Sequence, residues 1–289
     1  MLSPPRGARA KIQKGRGATS VRAVRIGPGT RAFVTGASRG IGRALAHELA
    51  ARGATVGLAA RSVSDLRAVA AELPGTHHVL VCDVALRASV LSAVEDFVAA
   101  EGAIDLLIVN AGVAHYEPVA SQSTETIELM TEVNWMGTVH TVKAALEPML
   151  LRGAGHIVVM SSGAGLRGFP GAAAYSATKA AQRTFAEALR HELAGSGVSL
   201  TTVYPGEIAT SLHDHQNSGE MPAWYRGGEQ AAPAEELAVR VVRAVERDSR
   251  DLYWKSPVRG MGLLHGISPR LADAALRRLR GPSAAPRRD

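Results

Sequence analysis

Residues 32–35, Ala-Phe-Val-Thr, run directly into Gly36-Ala37-Ser38-Arg39-Gly40-Ile41-Gly42, and an amphipathic stretch follows over 41–52. A buried strand, a glycine-rich turn and a helix start together form an anion site. The first helical N–H groups have no partner within the helix, and the helix dipole favours negative charge at that end. Gly36 suits the tight turn, Gly40 the close approach of a pyrophosphate, and Gly42 the packing of helix on strand. Ser38, Arg39 and Ile41 complete the candidate cofactor-binding turn. The spacing is G-x-x-x-G-x-G, which a plain strand-to-helix turn could also show. The flanking strand and helix are what point to a dinucleotide.

Outward from this turn the pattern alternates. Short apolar runs at 32–35, 55–59, 78–82, 106–110, 156–161 and 199–204 read as buried parallel strands. Helical stretches at 41–52, 63–72, 87–101, 124–151 and 175–195 separate them. After Pro205 come a polar, glycine-containing stretch over 211–232, a helix over 233–247, a strand over 251–255 and a basic helix over 269–280. This order predicts an α/β fold in one domain. Its core is a Rossmann-like, doubly wound parallel sheet of about seven strands with helices on both faces.

Of the 289 residues, 46% are hydrophobic and 20% charged, which excludes a wholly disordered chain. The single cysteine, Cys82, cannot form an internal disulfide and offers no thiolate cluster for a metal. His213 and His215 lack a ligand set around them, so no metal is expected. No run of about 18 apolar residues occurs, and a cytoplasmic location is expected.

The formal charge of +7 is unevenly spread. Residues 1–31 hold eight Lys or Arg and no acid, and residues 270–289 hold six Arg and two Asp. The middle carries the remaining 19 basic and 24 acidic residues, a net of −5. The expected organisation is therefore a disordered basic arm over 1–28, a catalytic body over 29–255 and a basic amphipathic tail over 256–289. The arm is Arg-rich and acid-free like a transit peptide, and equally like the product of an upstream start codon. No base-reading motif accompanies the basic ends, so no nucleic-acid partner is expected. The tail pattern fits packing on its own subunit or contact with an anionic membrane surface.

The second strand ends Leu58-Ala59-Ala60-Arg61-Ser62, with no acid to accept from the ribose hydroxyls as an NAD site usually provides. Arg61 and Arg39 instead offer two guanidinium groups suited to a 2′-phosphate, the alternative being two solvated surface arginines. NADP(H) is therefore expected ahead of NAD(H). Asp83 and Val84, after the third strand, are candidates for the adenine edge, although Asp83 could be only a capping residue.

Tyr175 and Lys179 stand four apart at the start of a helix and so share a face. A nearby ammonium favours the phenolate and lowers the tyrosine pKa, which suits a proton-transfer role. Ser162 follows a buried strand, at the sheet edge that carries the glycine turn. Asn134 sits in an apolar helical stretch, where it needs hydrogen-bond partners.

Together, Thr35-Gly36-x-x-x-Gly40-x-Gly42, Asp83, Asn110-Ala111-Gly112, Asn134, Ser162, Tyr175-x-x-x-Lys179 and Pro205-Gly206 with Thr210 resemble the compact short-chain dehydrogenase/reductases, over roughly 31–255. The resemblance implies hydride transfer between a nicotinamide cofactor and a carbonyl or secondary alcohol. Tyr175 would be the general acid/base, Ser162 would bind the substrate oxygen, and Lys179 would hold the nicotinamide ribose and lower the Tyr175 pKa. Asn134 would hold a water linking Lys179 to solvent. Asn110, Ala111 and Gly112 would close the fourth strand on the cofactor, and Pro205, Gly206, Ile208 and Thr210 would lie at the nicotinamide. Val109 stands where the family often has a first Asn.

Substrate is expected over Ser162 and Tyr175, beside His115 and Tyr116, beneath the stretch 211–230 with Met221, Trp224 and Tyr225, which reads as a lid or as a surface loop with some aromatic anchoring. The resemblance also implies a homodimer or homotetramer through the helices at 124–151 and 175–195. Phe185, Leu189 and Leu193 form an apolar stripe there that could equally face the sheet. The rival reading is a nucleotide-sensing or regulatory binding protein on the same scaffold. Such proteins often lose the Tyr or Lys, and both are present here. An extended-type epimerase fits less well, because it usually has another glycine spacing and a longer C-terminal substrate domain.

Overall fold

The computed structural model describes residues 24–210, 212, 221–222, 231–254 and 258–280. Seven strands form one parallel sheet: β1 (Arg31–Thr35), β2 (Thr55–Ala60), β3 (His78–Val81), β4 (Leu106–Val109), β5 (Gly155–Met160), β6 (Val198–Pro205) and, after a two-stranded interruption, β9 (Asp251–Trp254). Their order is β3-β2-β1-β4-β5-β6-β9. The chain winds outward from β1 to one side, then from β4 to the other, so a crevice opens between the carboxyl ends of β1 and β4. The glycine turn leaves β1 at that point.

Side-chain alternation places a core on each face. Ala32 and Val34 of β1, Leu106 and Ile108 of β4, and Val158 and Met160 of β5 face one core. Helices α1 (Gly40–Ala51), α2 (Val63–Glu72) and α7 (Ala234–Glu246) cover it. Phe33, Leu107, Val109, Ile157 and Val159 face the other core. There α3 (Arg87–Glu101), α5 (Gly137–Arg152) and α6 (Ala173–Glu192) lie across the sheet. The largely apolar central strands β1, β4, β5 and β6 thus reflect burial on both faces, whereas the edge strands β3 and β9 are only partly covered.

Four local differences from the sequence reading have physical causes. The helix expected over 124–151 is split into α4 (Thr124–Met130), a π-helical turn (Thr131–Met136) and α5. Asn134 sits in that turn, and the Gly137 N–H reaches back five residues to the Glu132 carbonyl. At the start of the body, Ile26 is buried in the first core and the Thr30 hydroxyl donates to the Arg25 carbonyl. The folded part therefore reaches back into the arm expected over 1–28. Residues 1–23 lie outside the described residues.

The tail expected over 256–289 is helical in its described part, with α8 (Val258–Ile267) and α9 (Pro269–Arg280). Helix α8 contains Gly260, Gly262 and Gly266, whose low helix propensity hides it from a sequence reading. Last, Ile208–Ala209 (β7) pairs in parallel with Ala232–Pro233 (β8). This two-residue ladder brings together the two ends of the expected lid.

Candidate active site

The glycine turn is built so that side chains cannot fit. A Cβ on Gly42 would lie 2.1 Å from the Gly36 carbonyl oxygen, and one on Gly36 would lie 2.9 Å from the Ala111 Cα. Gly36 and Gly40 also have φ of +68° and +53°, a region that L side chains rarely adopt. Backbone N–H groups of Gly36 and Ala37 donate to Ala59, which locks the turn to β2. Ser38 lies partly buried in the turn, and Ile41 packs against the first core.

Thr35 is the hub of the crevice. Its hydroxyl donates to the Ile108 carbonyl (3.3 Å) and accepts from the Asn110 N–H (3.0 Å) and the Ala111 N–H (3.2 Å). The Asn110 side-chain amide donates back to the Thr35 carbonyl at 3.0 Å. Asn110 therefore bonds across the crevice and is not part of β4. Gly112 follows at the mouth, where a Cβ would meet Asn134 Oδ1 at 3.2 Å and Lys179 Nζ at 3.5 Å.

Arg39 and Arg61 leave the carboxyl ends of β1 and β2 with exposed side chains. Neither has an acidic partner among the described residues. No acid ends β2, and Asp65 lies inside α2, where its N–H is capped by Ser62. Asp83 Oδ1 accepts from the Ala85 N–H at 3.0 Å, so that carboxylate oxygen also closes a local turn. Val84 is buried against Gly137. On the far side, Pro205 ends β6, and the Gly206 N–H donates to the Trp254 carbonyl at 2.9 Å. Ile208 is buried, and the Thr210 side chain stands over Gly40.

Ser162, Tyr175, Lys179 and Asn134 come together beside this crevice. Ser162 caps the short turn Gly163–Gly165, its hydroxyl accepting from the Ala164 N–H at 3.1 Å. Gly165 allows that turn to sit on α6, because a Cβ there would lie 2.7 Å from the Lys179 carbonyl oxygen. Tyr175 and Lys179 are both buried in the first turns of α6. Burial pushes the Tyr175 phenol up to about 12, opposed by its hydrogen bond with Ser162. Burial pushes the Lys179 amine down to about 7.

A lowered Tyr175 pKa was expected, and the structure has the opposite. Lys179 Nζ donates to the Met160 carbonyl at 3.1 Å and stands 5.7 Å from the centre of the Tyr175 ring. Desolvation dominates the Tyr175 shift, and the influence opposing it is Ser162 rather than Lys179.

Asn134 is fully buried, and each of its side-chain polar groups has a partner. Its Oδ1 accepts from the Val113 N–H, and its Nδ2 donates to the Val113 carbonyl and to Thr178 Oγ1. Its backbone carbonyl accepts from Thr138 Oγ1 at 2.7 Å and from Gln182 Nε2 at 2.9 Å. Thr35 was read only as the first residue of the glycine motif, and sequence reasoning missed two further parts of this site, Thr178 and Gln182. The last two had a signal, since 175, 178, 179 and 182 fall on one helix face.

An apolar wall stands over Tyr175. The Tyr116 and Tyr175 rings meet edge to face at 5.6 Å, and Ala114, Met130 and Ala172 are buried with them. Phe169, Leu212 and Met221 pack on the same cluster. His115 is half-buried beside it, its carbonyl accepting from Gln122. Trp224, Tyr225, His213 and His215 lie outside the described residues. No group of three His, Cys, Asp or Glu side chains that could hold a metal occurs among the described residues.

The apolar stripe on α6 does not face outward. Leu189 and Leu193 are buried in the second core, and Arg190 donates to the Leu200 and Arg250 carbonyls and to Thr202 Oγ1.

A family model described as short chain dehydrogenase matches residues 30–221. A dehydrogenase/reductase SDR family protein 7-like from Drosophila melanogaster is 34% identical over 237 residues, covering 78% of this chain and 72% of its own length. The glycine betaine reductase ATRR of Emericella nidulans is 35% identical over 224 residues; the match covers 76% of this chain but only 18% of that protein. Among solved structures, an alcohol dehydrogenase from the archaeon Thermococcus sibiricus, determined with 5-hydroxy-NADP, is similar with a TM-score of 0.67. It is 28% identical, and the match covers 78% of this chain and 94% of that one. Matched over most of its length, with the Rossmann-like sheet and its glycine turn in place, the chain belongs to the short-chain dehydrogenase/reductase family of oxidoreductases.

Proposed function

We propose that this protein is an NADP(H)-dependent oxidoreductase acting between a carbonyl and a secondary alcohol, with Tyr175 as general acid/base. The observation that carries this reading is a tyrosine buried at the start of α6 between Ser162 and Lys179, beside the glycine turn. The cofactor, when bound, supplies or takes up the hydride.

The residues present fit such a group. Gly36, Gly40 and Gly42 leave a cradle that side chains would fill, and the start of α1 offers its N–H groups to the pyrophosphate. Arg39 and Arg61 offer two guanidinium groups to a 2′-phosphate where an NAD site would place an acid. Asn110, Ala111, Gly112, Pro205, Gly206, Ile208 and Thr210 border the remainder.

In the reducing direction the hydroxyl groups of Ser162 and Tyr175 would both reach the substrate oxygen. Ser162 holds it and Tyr175 gives it a proton as negative charge develops. A phenol pushed up to about 12 keeps that proton at neutral pH. Lys179, held near 7, exchanges protons readily in the same range and recharges Tyr175. Asn134 Oδ1 shares the space beside Gly112 with Lys179 Nζ, and we place proton exchange with solvent there. The wall of Tyr116, Met130, Phe169 and Met221 favours a substrate with an apolar body.

The test is oxidation of NADPH against ketones, aldehydes, quinones and steroids, with NADH as control. Turnover with NADPH that the Tyr175→Phe variant lacks, with NADPH binding retained, is the expected result. Tight NADPH binding without turnover of any substrate class would favour the sensor reading. Equal or better rates with NADH would refute the roles given to Arg39 and Arg61.

A further inference from the structure

Helices α8 and α9 have two unlike faces. The inner face is fastened to the body. Ala272 is fully buried, Gly262 packs on Leu166, and Arg167 pairs with Asp273 and hydrogen-bonds His265 at 3.0 Å. The outer face carries Leu263, Ile267 and Leu271, which are 63%, 83% and 59% exposed. Leu263 and Ile267 stand four apart on α8 and form a short stripe there, and Leu271 is exposed in the first turn of α9, after the break at Ser268. Burial of that stripe in an apolar phase would be favourable, and water is a poor solvent for it.

Charge indicates which phase. Residues 258–280 hold five arginines and one acid, Asp273, which is already engaged by Arg167. Arg259 and Arg270, at the starts of the two helices, are exposed, with the Arg259 guanidinium 4.7 Å from the centre of the Tyr253 ring. An apolar stripe flanked by arginines, on helices too short and too charged to cross a bilayer, suits the plane of an anionic lipid surface. A second copy of this chain would bring the same positive charge onto itself.

We propose that the outer face of α8 and α9 is a docking surface for anionic membrane lipid, seating Leu263, Ile267 and Leu271 among the acyl chains. The test is co-sedimentation of the full chain with vesicles of phosphatidylcholine alone and of phosphatidylcholine with about one third phosphatidylserine. Binding is expected only to the anionic vesicles, and it should weaken as salt is added. Ile267→Glu is expected to weaken it about tenfold, and Arg270→Ala about fivefold. Leu263→Ser serves as a second apolar variant, and the melting temperature of each variant checks that it folds.

Three results would overturn the proposal. One is no binding to either vesicle. Another is binding that Ile267→Glu and Leu263→Ser leave unchanged, which would move the contact to another basic segment. The third is a concentration-dependent dimer, seen by sedimentation velocity, that Ile267→Glu dissolves.

Discussion

The two ends of the parallel sheet treat charge in opposite ways. At the amino end, charges are matched. Arg31 grips Asp105 with Nε at 2.7 Å and Nη2 at 2.9 Å, and Arg152 adds a third contact at 2.6 Å. Arg52 joins Glu48 and Glu246, and His78 joins Glu101. At the carboxyl end, Arg39 and Arg61 stand without acidic partners among the described residues. There Tyr175 and Lys179 are buried with their protonation pushed away from ordinary values. Matched charges secure a structure, whereas unmatched and shifted ones mark chemistry. Under the proposed function, the fold thus separates its stability from its reactivity by about the length of a strand.

Substitutions can break that contrast, beginning with the largest effect. Tyr175→Phe should lower turnover about a thousandfold while leaving the fold intact, read as steady-state kcat beside a thermal melt. Lys179→Met tests the cost of burying an amine. The folded pKa of Lys179 lies below its unfolded value of 10.5, so the unfolded chain binds more protons between about 7 and 10.5. Wild-type stability should therefore rise with pH through that window and level off on either side of it. The methionine variant lacks this gain. Its stability relative to wild type should be greater at pH 7 than at pH 10 by about 3 kcal/mol, measured by urea unfolding.

At the amino end, Asp105→Ala leaves Arg31 and Arg152 facing each other. It should cost about 2 kcal/mol in the same unfolding experiment, with kcat unchanged. Arg39→Ala and Arg61→Ala should each raise the KM for NADPH about tenfold, or about 1.4 kcal/mol, and leave the KM for NADH alone. Unchanged NADPH affinity would remove the functional half of the contrast. Arg43→Ala, which breaks the exposed pair with Glu72, should change stability by less than about 1 kcal/mol.

Much of this arrangement was legible in the sequence because it rests on short-range pattern. The glycine turn declares itself through the spacing of Gly36, Gly40 and Gly42 between an apolar run and a helical one. Tyr175 and Lys179 declare themselves by sharing a face, and the strands by continuous apolar runs. The π-helical turn at Asn134 was not legible, since one added residue per turn barely disturbs the hydrophobic period of a long helix. Thr35 looked like part of a motif, but its hydroxyl serves partners more than 70 residues away. The stripe of Leu189 and Leu193 has the same spacing whether it meets the sheet or another subunit, so only packing tells the two apart. The protonation of Tyr175 depends on burial and on where Lys179 Nζ points, neither of which a sequence states.

The clasp made by Arg167 bears on where the gene can be cut. The family match ends at residue 221, and the last strand of the sheet ends at Trp254. A chain shortened to 257 would look complete by both measures. It would nevertheless strip Asp273 and His265 from Arg167, whose side chain is largely shielded, and uncover Leu166 a few residues after Ser162. A guanidinium left there would seek new partners among the carbonyls of the Ser162 turn. Shortened forms should therefore lose activity before they lose their sheet, and the fault would be mistaken for a missing substrate.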